Sequence, residues 1–394
     1  MSVVLVVNSG SSSIKHQLVD TATGDAIASG LVERIGEEAS RVIHTCGATS
    51  TERVAIVGDH HEGLRCVIEL YDELGPGLGE AGIAAVGHRV VMGGDRFAGP
   101  ALIDDEVIAI IRRLAPLAPL HNPPNLAGIL VARQLLPDIP HVAVFDTAFF
   151  QALPPAAATY ALDREVAARW SVRRYGAHGT SHQYVATRAS ELLGRDPGAV
   201  RQIVLHLGNG ASASAIAGGR AVDTSMGLTP LEGLVMGTRT GDIDAAVVFH
   251  LARNAGMAVD EIEALFNQRS GMKGLTGEND MRAVHRLVAQ GDAAARLGLD
   301  VYCHRVRKYI GAYAAVLGGL DALSFTAGIG EHDPVVRARC VSGLEFLGIE
   351  IDPVLNEGPG NGPRVISPPE ARVSVMVIPT NEELAIARQA VSLV

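Results

Sequence analysis

The chain is 394 residues long, 47% hydrophobic and 19% charged, with a formal net charge of -10. That length predicts two or three domains of ordinary globular composition. The negative balance disfavours nucleic acid or an anionic membrane as the main partner, so an anionic substrate would need a locally basic pocket.

The first apolar run, Val3 to Val7, is too short for the core of a secretion signal and has no basic flank. No later stretch is long and apolar enough to span a bilayer. Cys46, Cys66, Cys303 and Cys340 are scattered, with no CxxC pair. This predicts neither a disulfide framework nor a zinc site and fits a cytoplasmic location.

In chain order, residues 3–8 and 14–20 read as a hairpin. Its loop, Ser9-Gly10-Ser11-Ser12-Ser13, leads into Lys15. Such a loop suits a tight turn, and it also suits a phosphate cradle of backbone N–H groups, hydroxyls and one cation. Residues 83–91 read as a buried strand. Residues 104–115 read as a helix capped by Asp104 and ended by Pro116. Residues 121–137 read as a second helix, opened by Asn122 and two early prolines. Residues 141–146 form a strand ending at Asp146. The pattern then restarts: a helix over 181–194, a strand over 202–208, a Gly-Asn-Gly loop and another alternating run. VVLVVNSGSSSIKHQLVD and QIVLHLGNGASASAIAGG share one plan, which predicts two similar α/β domains facing each other across a cleft. A third strand-and-glycine unit, 322–333, precedes a helix, and the last helix starts near Asn381. The boundary falls near 148–156. It separates a first domain, 1–150, with 381–394 packing back on it, from a second, 151–380.

Some matches carry no function. GLGEAG, 77–82, fits GxGxxG but lies between a helix and a strand, the reverse of a dinucleotide site. There is no GxxxxGK[ST] and no GxSxG. His178 and His182 have the spacing of a metal pair, but Gly179 lies between them and no HExxH occurs.

Other stretches sit where backbone geometry favours anions. His121, His178-Gly179-Thr180-Ser181 and Arg239-Thr240-Gly241-Asp242 each precede a predicted helix start, the last capped by Asp242 or Asp244. Helix N-termini attract phosphate and carboxylate, although each stretch also reads as simple capping. Arg89, at the end of its strand beside a glycine pair, is placed either to clamp a carboxylate or to form a structural ion pair. Asp146 ends a buried strand, where functional residues and turn residues both occur. In PTNEELAIA, Thr380 and Glu383 fit a capping box, which leaves Glu382 available to hold Mg²⁺.

NSGSSSIK, GHRVVMGG, PLHNPPN, FDTAF, YGAHGTSH, HLGNGAS, DTSMGLTPLEGLVMGTRTGDID, FTAGIGE and IPTNEELAIAR, taken together, resemble the acetate kinase family from residue 3 to about residue 388. The resemblance implies two duplicated actin-like ATPase (ribonuclease H-like) domains flanking a nucleotide cleft, usually in a homodimer. It implies the reaction ATP + acetate = ADP + acetyl phosphate, with Mg²⁺ (or Mn²⁺ in its place) as cofactor and ATP/ADP as substrate. Residue by residue, Asn8 and Glu382 match the metal positions. Lys15, Ser11 and Ser13 match the first phosphate loop. Arg89, His121, Asp146, His178 and Arg239 match the catalytic positions. His206, Leu207, Gly208, Asn209 and Gly210 match the second phosphate loop. Asp280, Met281 and Arg282 match a nucleotide contact, and Gly328, Ile329, Gly330, Glu331 and His332 match the adenosine loop. With Arg89, the positions of Val91, Leu120, Ala177 and Pro230 line the family's acyl pocket.

Three departures stand out. Ala177 replaces the family's usual Phe, Phe150 a His, and His332 an Asn. Phe to Ala should enlarge the acyl pocket and raises propionate or butyrate as alternative acceptors. Because a carboxylate is already ionised at neutral pH, no strong base is required. Direct in-line transfer is therefore expected, with Asp146 orienting an arginine or a metal-bound water, or moving a proton. A non-catalytic nucleotide binder and a sugar kinase are the rival classes. Two arginines and two histidines placed for a small anion weigh against the first, and the needless base weighs against the second.

Overall fold

The computed structural model describes residues 2–358, 360 and 362–394. They form two compact units: residues 2–151 with 381–394, and the described part of 152–380. The last helix, Glu382–Val391, thus belongs to the first unit.

The first unit contains eight strands: β1 (Val3–Ser9), β2 (Ser13–Asp20), β3 (Ala26–Glu33), β4 (Ser40–Cys46), β5 (Thr49–Ala55), β6 (Ile83–Val90), β7 (Ala101–Leu102) and β8 (His141–Phe145). They form one sheet in the order β5-β4-β3-β2-β1-β6-β8-β7. β1 to β5 are antiparallel neighbours, whereas β1-β6 and β6-β8 are parallel. β1 is central, and Val4 to Val7 are at most 1% exposed. Strand alternation sends Val86 into the cluster around Leu5, Val7 and Leu64, while Gly87 turns to the final helix. A β-carbon at Gly87 would lie 2.8 Å from Ile386, so the missing side chain is what lets that helix lie on the sheet.

The second unit repeats the plan with β9 (Arg201–Leu207), β10 (Ala211–Ala217), β11 (Arg220–Thr224), β12 (Ala322–Thr326), β13 (Arg364–Val365) and β14 (Ser374–Val377), in the order β11-β10-β9-β12-β14-β13. The core β3-β2-β1-β6-β8 and its counterpart β11-β10-β9-β12-β14 share one arrangement: three antiparallel strands, then two parallel additions. This is the duplication suggested by the two similar motifs. One face of β9 and β10 carries Ile203, Leu205, Leu207 and alternate alanines into the main apolar core with Tyr302 and Val306. The other carries Gln202, His206, Ser212 and Ser214, all buried.

Several helices start where their caps predict. Asp104 accepts the Val107 N–H at the head of Asp105–Arg113. Two expectations fail. The head of the last helix has no Thr380–Glu383 capping box: Asn381 is the cap, accepting the Leu384 N–H at 3.0 Å, while Glu383 pairs with Lys15. Thr380 bonds the Ser181 hydroxyl instead. Nor does a helix follow Arg239 directly; the next one is Ala246–Asn254. Asp244 accepts from Ala246 N, and Asp242 accepts from Gly233 N and the Tyr309 hydroxyl. Similarly, Asn122 opens its helix by position only: its amide brackets the Met92 backbone from both sides.

Candidate active site

In the first unit the strand ends gather the predicted polar residues. Arg89, on β6, forks onto Asp146 just beyond β8, with Nη2 2.7 Å and Nε 3.1 Å from Oδ2. The Asp146 side chain is 1% exposed, so a buried carboxylate fixes the plane of the guanidinium. Glu382 Oε2 lies 3.8 Å from Arg89 Nε. Burial pushes the Glu382 carboxyl above its usual range, and neighbouring Asp146 and Glu383 add to this against Arg89 and Lys15. A cation beside Glu382 would relieve that cost.

The backbone past β6 is held by side chains that the motif reading did not single out. Val91 N donates to Asn125 Oδ1, Met92 N to Asn122 Oδ1 and Gly93 N to Thr147 Oγ1. The HNPPN, GHRVVMGG and FDTAF motifs are thus one hydrogen-bonded assembly. The only sequence signal for it was two asparagines in a helix's first turn, a poor place for them unless they bond elsewhere. Val91 is buried, His121 is half-buried at the helix head, and Leu120 is 50% exposed.

The serine loop is the β1-β2 turn, closed by Gly10 N to Ser13 O at 2.8 Å. Ser11 is exposed and Ser13 half-buried. His60 bonds the Gly10 carbonyl, and Asn125 donates to the Ser9 carbonyl. Lys15 pairs with Glu383. Asn8 is the penultimate residue of β1, half-buried.

In the second unit, helix Gly179–Leu193 opens at His178, whose φ of 59° is left-handed. Among the described residues only Arg34, Ser171, His178 and Ala327 are non-glycines with such a φ. Two of these four lie in predicted site loops, where held strain points to function. His178 stacks on His206 with ring centroids 4.3 Å apart. Its Nδ1 lies 2.9 Å from Ser212 Oγ.

Arg239 sits on the 225–242 loop. Its Nη1 donates to the Pro230 carbonyl at 3.2 Å, and no carboxylate of its own unit, among the described residues, lies within ion-pair distance. Burial pushes its pKa down. The loop is tied by Arg174, which donates to the Thr224 and Met226 carbonyls and to Glu232. Asp242, with Tyr309 and Arg305, ties its far end. Ala177 is buried in the same apolar cluster as Met226 and Met236.

A cavity of about 620 Å³ within this unit is lined by Gly208, Asn209, Asp280, Met281, Arg282, Gly328, Ile329 and His332, together with Asn279, His285 and Val335. Eight of the sixteen predicted nucleotide residues therefore share one space. Others do not line it. Leu207 points into the core, and His206 lies on the opposite sheet face, bonded to Ser181. Glu331 accepts from Ala327 N at 2.8 Å and Thr380 N at 3.2 Å, bracing the loop from within. Asp280 caps its helix and is forked by Arg282, which holds its carboxyl down at about 2.

Residues 3–388 match the model of the acetokinase family. The chain belongs to the acetokinase family. It is 58% identical to an acetate kinase of Streptomyces griseus subsp. griseus, over 99% of this chain and 96% of that protein. Among solved structures, an acetate kinase from Porphyromonas gingivalis superposes with a TM-score of 0.94 at 42% identity. A propionate kinase from Francisella tularensis subsp. tularensis does so with 0.94 at 40%. Both alignments cover 100% of each chain. The fold is accordingly that of the actin-like ATPases, and family membership makes the chain a phosphotransferase with a carboxyl acceptor.

Proposed function

We propose that the chain transfers the γ-phosphoryl group of ATP directly to the carboxylate of acetate, reversibly, giving ADP and acetyl phosphate. The observation that carries this mechanism is Arg239: a part-buried guanidinium with no carboxylate partner among the described residues of its own unit calls for an anion, and a transferring phosphoryl group supplies one. Arg89, oriented by Asp146, binds the acceptor carboxylate through its remaining N–H groups. That fork gives Asp146 an orienting task, and the ionised acceptor needs no base. Arg239 and His178 stabilise the equatorial oxygens; the loops at 8–15 and 206–210 hold the phosphates. The cavity bounded by Met281, Ile329 and His332 takes the adenosine.

Mg²⁺ fits the donors present. Asn8 and Glu382 offer oxygen ligands, and the burial cost at Glu382 favours a cation beside it. Among the described residues no group of three His, Cys, Asp or Glu side chains forms a metal cage. That accords with an ion held by one or two protein oxygens and the substrate phosphates. When bound, the ion would offset phosphate charge.

Propionate is the second acceptor, favoured by the small Ala177. The active form is read as a homodimer: helix Ala246–Asn254 buries none of its residues within this chain, and Phe249 is 57% exposed. Among the described residues no helix is long and apolar enough to cross a membrane, and the four cysteines are free thiols, in keeping with the cytoplasm. The test is to trap acyl phosphate as its hydroxamate from ATP with acetate, propionate or butyrate. Hydroxamate from acetate supports the reading; ATP hydrolysis without any hydroxamate overturns it.

A further inference from the structure

The face between β9-β10 and helix Gly179–Leu193 is polar where a helix-on-sheet contact is normally apolar. Ser212, Ser214 and His182 are all 0% exposed there. Buried polar groups are kept only when they are bonded, and these are bonded to one another in a line. Ser214 Oγ lies 2.7 Å from His182 Nδ1, His182 Nε2 lies 2.7 Å from Ser212 Oγ, and Ser212 Oγ lies 2.9 Å from His178 Nδ1.

The line has a direction. Ser214 Oγ has no other hydrogen-bond partner among the described residues, so its single proton is satisfied only by donation to His182 Nδ1. His182 is fully buried, and burial, with His206 beside it, holds its ring neutral. A neutral ring that accepts at Nδ1 carries its proton on Nε2, which donates to Ser212 Oγ. Ser212 then has its own proton to give, and the acceptor within reach is His178 Nδ1. The reverse order would leave the Ser214 proton buried with no acceptor.

The geometry points to Ser212, backed by His182 and Ser214, as the positioning residue that sets the Nε2–H tautomer of the His178 ring. The Nε2 atom is on the side of the second phosphate loop: a β-carbon at Gly210 would lie 3.5 Å from it. An imidazole fixed this way donates a hydrogen bond to a phosphoryl oxygen without needing a second proton. The inference rests on the reading of His178 as a donor in the transfer, and it adds what sets that donor.

The test uses the full chain labelled with ¹⁵N-histidine, with the His178 signal assigned by its loss in His178→Asn. In the wild type the neutral ring should show the Nε2–H pattern. Ser212→Ala should shift that signal toward the Nδ1–H form and lower kcat about 10- to 100-fold, with the KM for ATP little changed. Ser212→Thr, which keeps the hydroxyl, should restore most of the turnover. Ser214→Ala breaks the far end of the chain without touching His178 and should move both readouts in the same direction by less; it stands in if Ser212→Ala does not fold. An unchanged tautomer in Ser212→Ala, or in Ser214→Ala where that variant stands in, overturns the assignment, whatever happens to kcat. Wild-type turnover in His178→Ala would instead overturn the donor role while leaving the tautomer result to stand.

Discussion

Arg89 and Arg239 match the same kind of family position, yet the two units hold them differently. Arg89 is neutralised before any ligand arrives, its guanidinium forked by a buried Asp146. Arg239 is part-buried, and its side chain bonds only a carbonyl and a thioether among the described residues. A paired arginine is pre-oriented and gives directional N–H groups with little net charge. An arginine without a carboxylate pays its desolvation in the empty protein and returns it when an anion binds (the two thus suit a bound substrate and a developing charge, respectively).

The largest test of this contrast is Arg239→Ala. It should lower kcat about a hundredfold or more, because charge at the transferring group is what phosphoryl transfer depends on. It should leave the melting temperature unchanged or higher, since a costly buried charge has gone. Near-normal hydroxamate production, or a marked loss of stability, would break the comparison.

Asp146→Asn should act in the opposite sense on stability. It keeps the shape but leaves Arg89 facing a neutral amide, so the fold should lose up to about 3 kcal/mol in urea unfolding. The KM for acetate should rise about tenfold as the guanidinium loses its fixed plane. A variant with wild-type stability and an unchanged KM would show that the fork does not orient Arg89.

Ala177→Phe probes the acyl end. A methylene in an apolar pocket is worth roughly 10- to 200-fold in kcat/KM. The variant should therefore lower propionate and butyrate use about tenfold relative to acetate. Because Ala177 shares a cluster with Met226 and Met236, an equal loss for all three acids would mean overpacking instead.

The sequence reading reached the duplicated sheets because each repeat carries a period-two strand, a small-residue loop and a second strand, all local signals. It named residues that line one cavity of the second unit because Gly208 and Ile329 lie in long family motifs and Met281 matches a family position between them. It misassigned Thr380 and Asp242 for one physical reason. A capping pattern is local, but each of these side chains is claimed by a distant partner, Ser181 and Tyr309 respectively. Asn122, Asn125 and Thr147 lace the segment after Arg89, but their partners were not legible because hydrogen bonding across 30 or more residues leaves no spacing to read. The serine-histidine line under His178 was hidden likewise: ASASAIA alternates as a strand should, but nothing in it says that the serines face inward.

The contrast between the units extends, more weakly, to their buried imidazoles. In the second unit His182 is bonded at both ring nitrogens by serine hydroxyls. In the first, His16 packs against His44 and Tyr71, with Nδ1 on the tyrosine hydroxyl and Nε2 buried without a partner among the described residues. Burial, helped by His44, pushes the His16 pKa from 6.5 down to about 3. Between those values the unfolded chain binds a proton that the folded chain refuses. The stability contributed by this neutral ring is therefore complete above pH 6.5 and is lost steadily as the pH falls below it. His44, His88 and His141, also in the first unit, are lowered by burial and act in the same direction; His182 of the second unit is lowered as well, but the first unit holds four such rings. Acidification from pH 7 to 5 should accordingly loosen the first unit before the second, read as earlier loss of amide-exchange protection. His16→Leu removes one of these protons and should reduce the pH slope of urea stability by at most about 1.4 kcal/mol per pH unit. An unchanged slope would mean that His16 is protonated in the fold, and the acid sensitivity of the first unit would have to come from the remaining imidazoles.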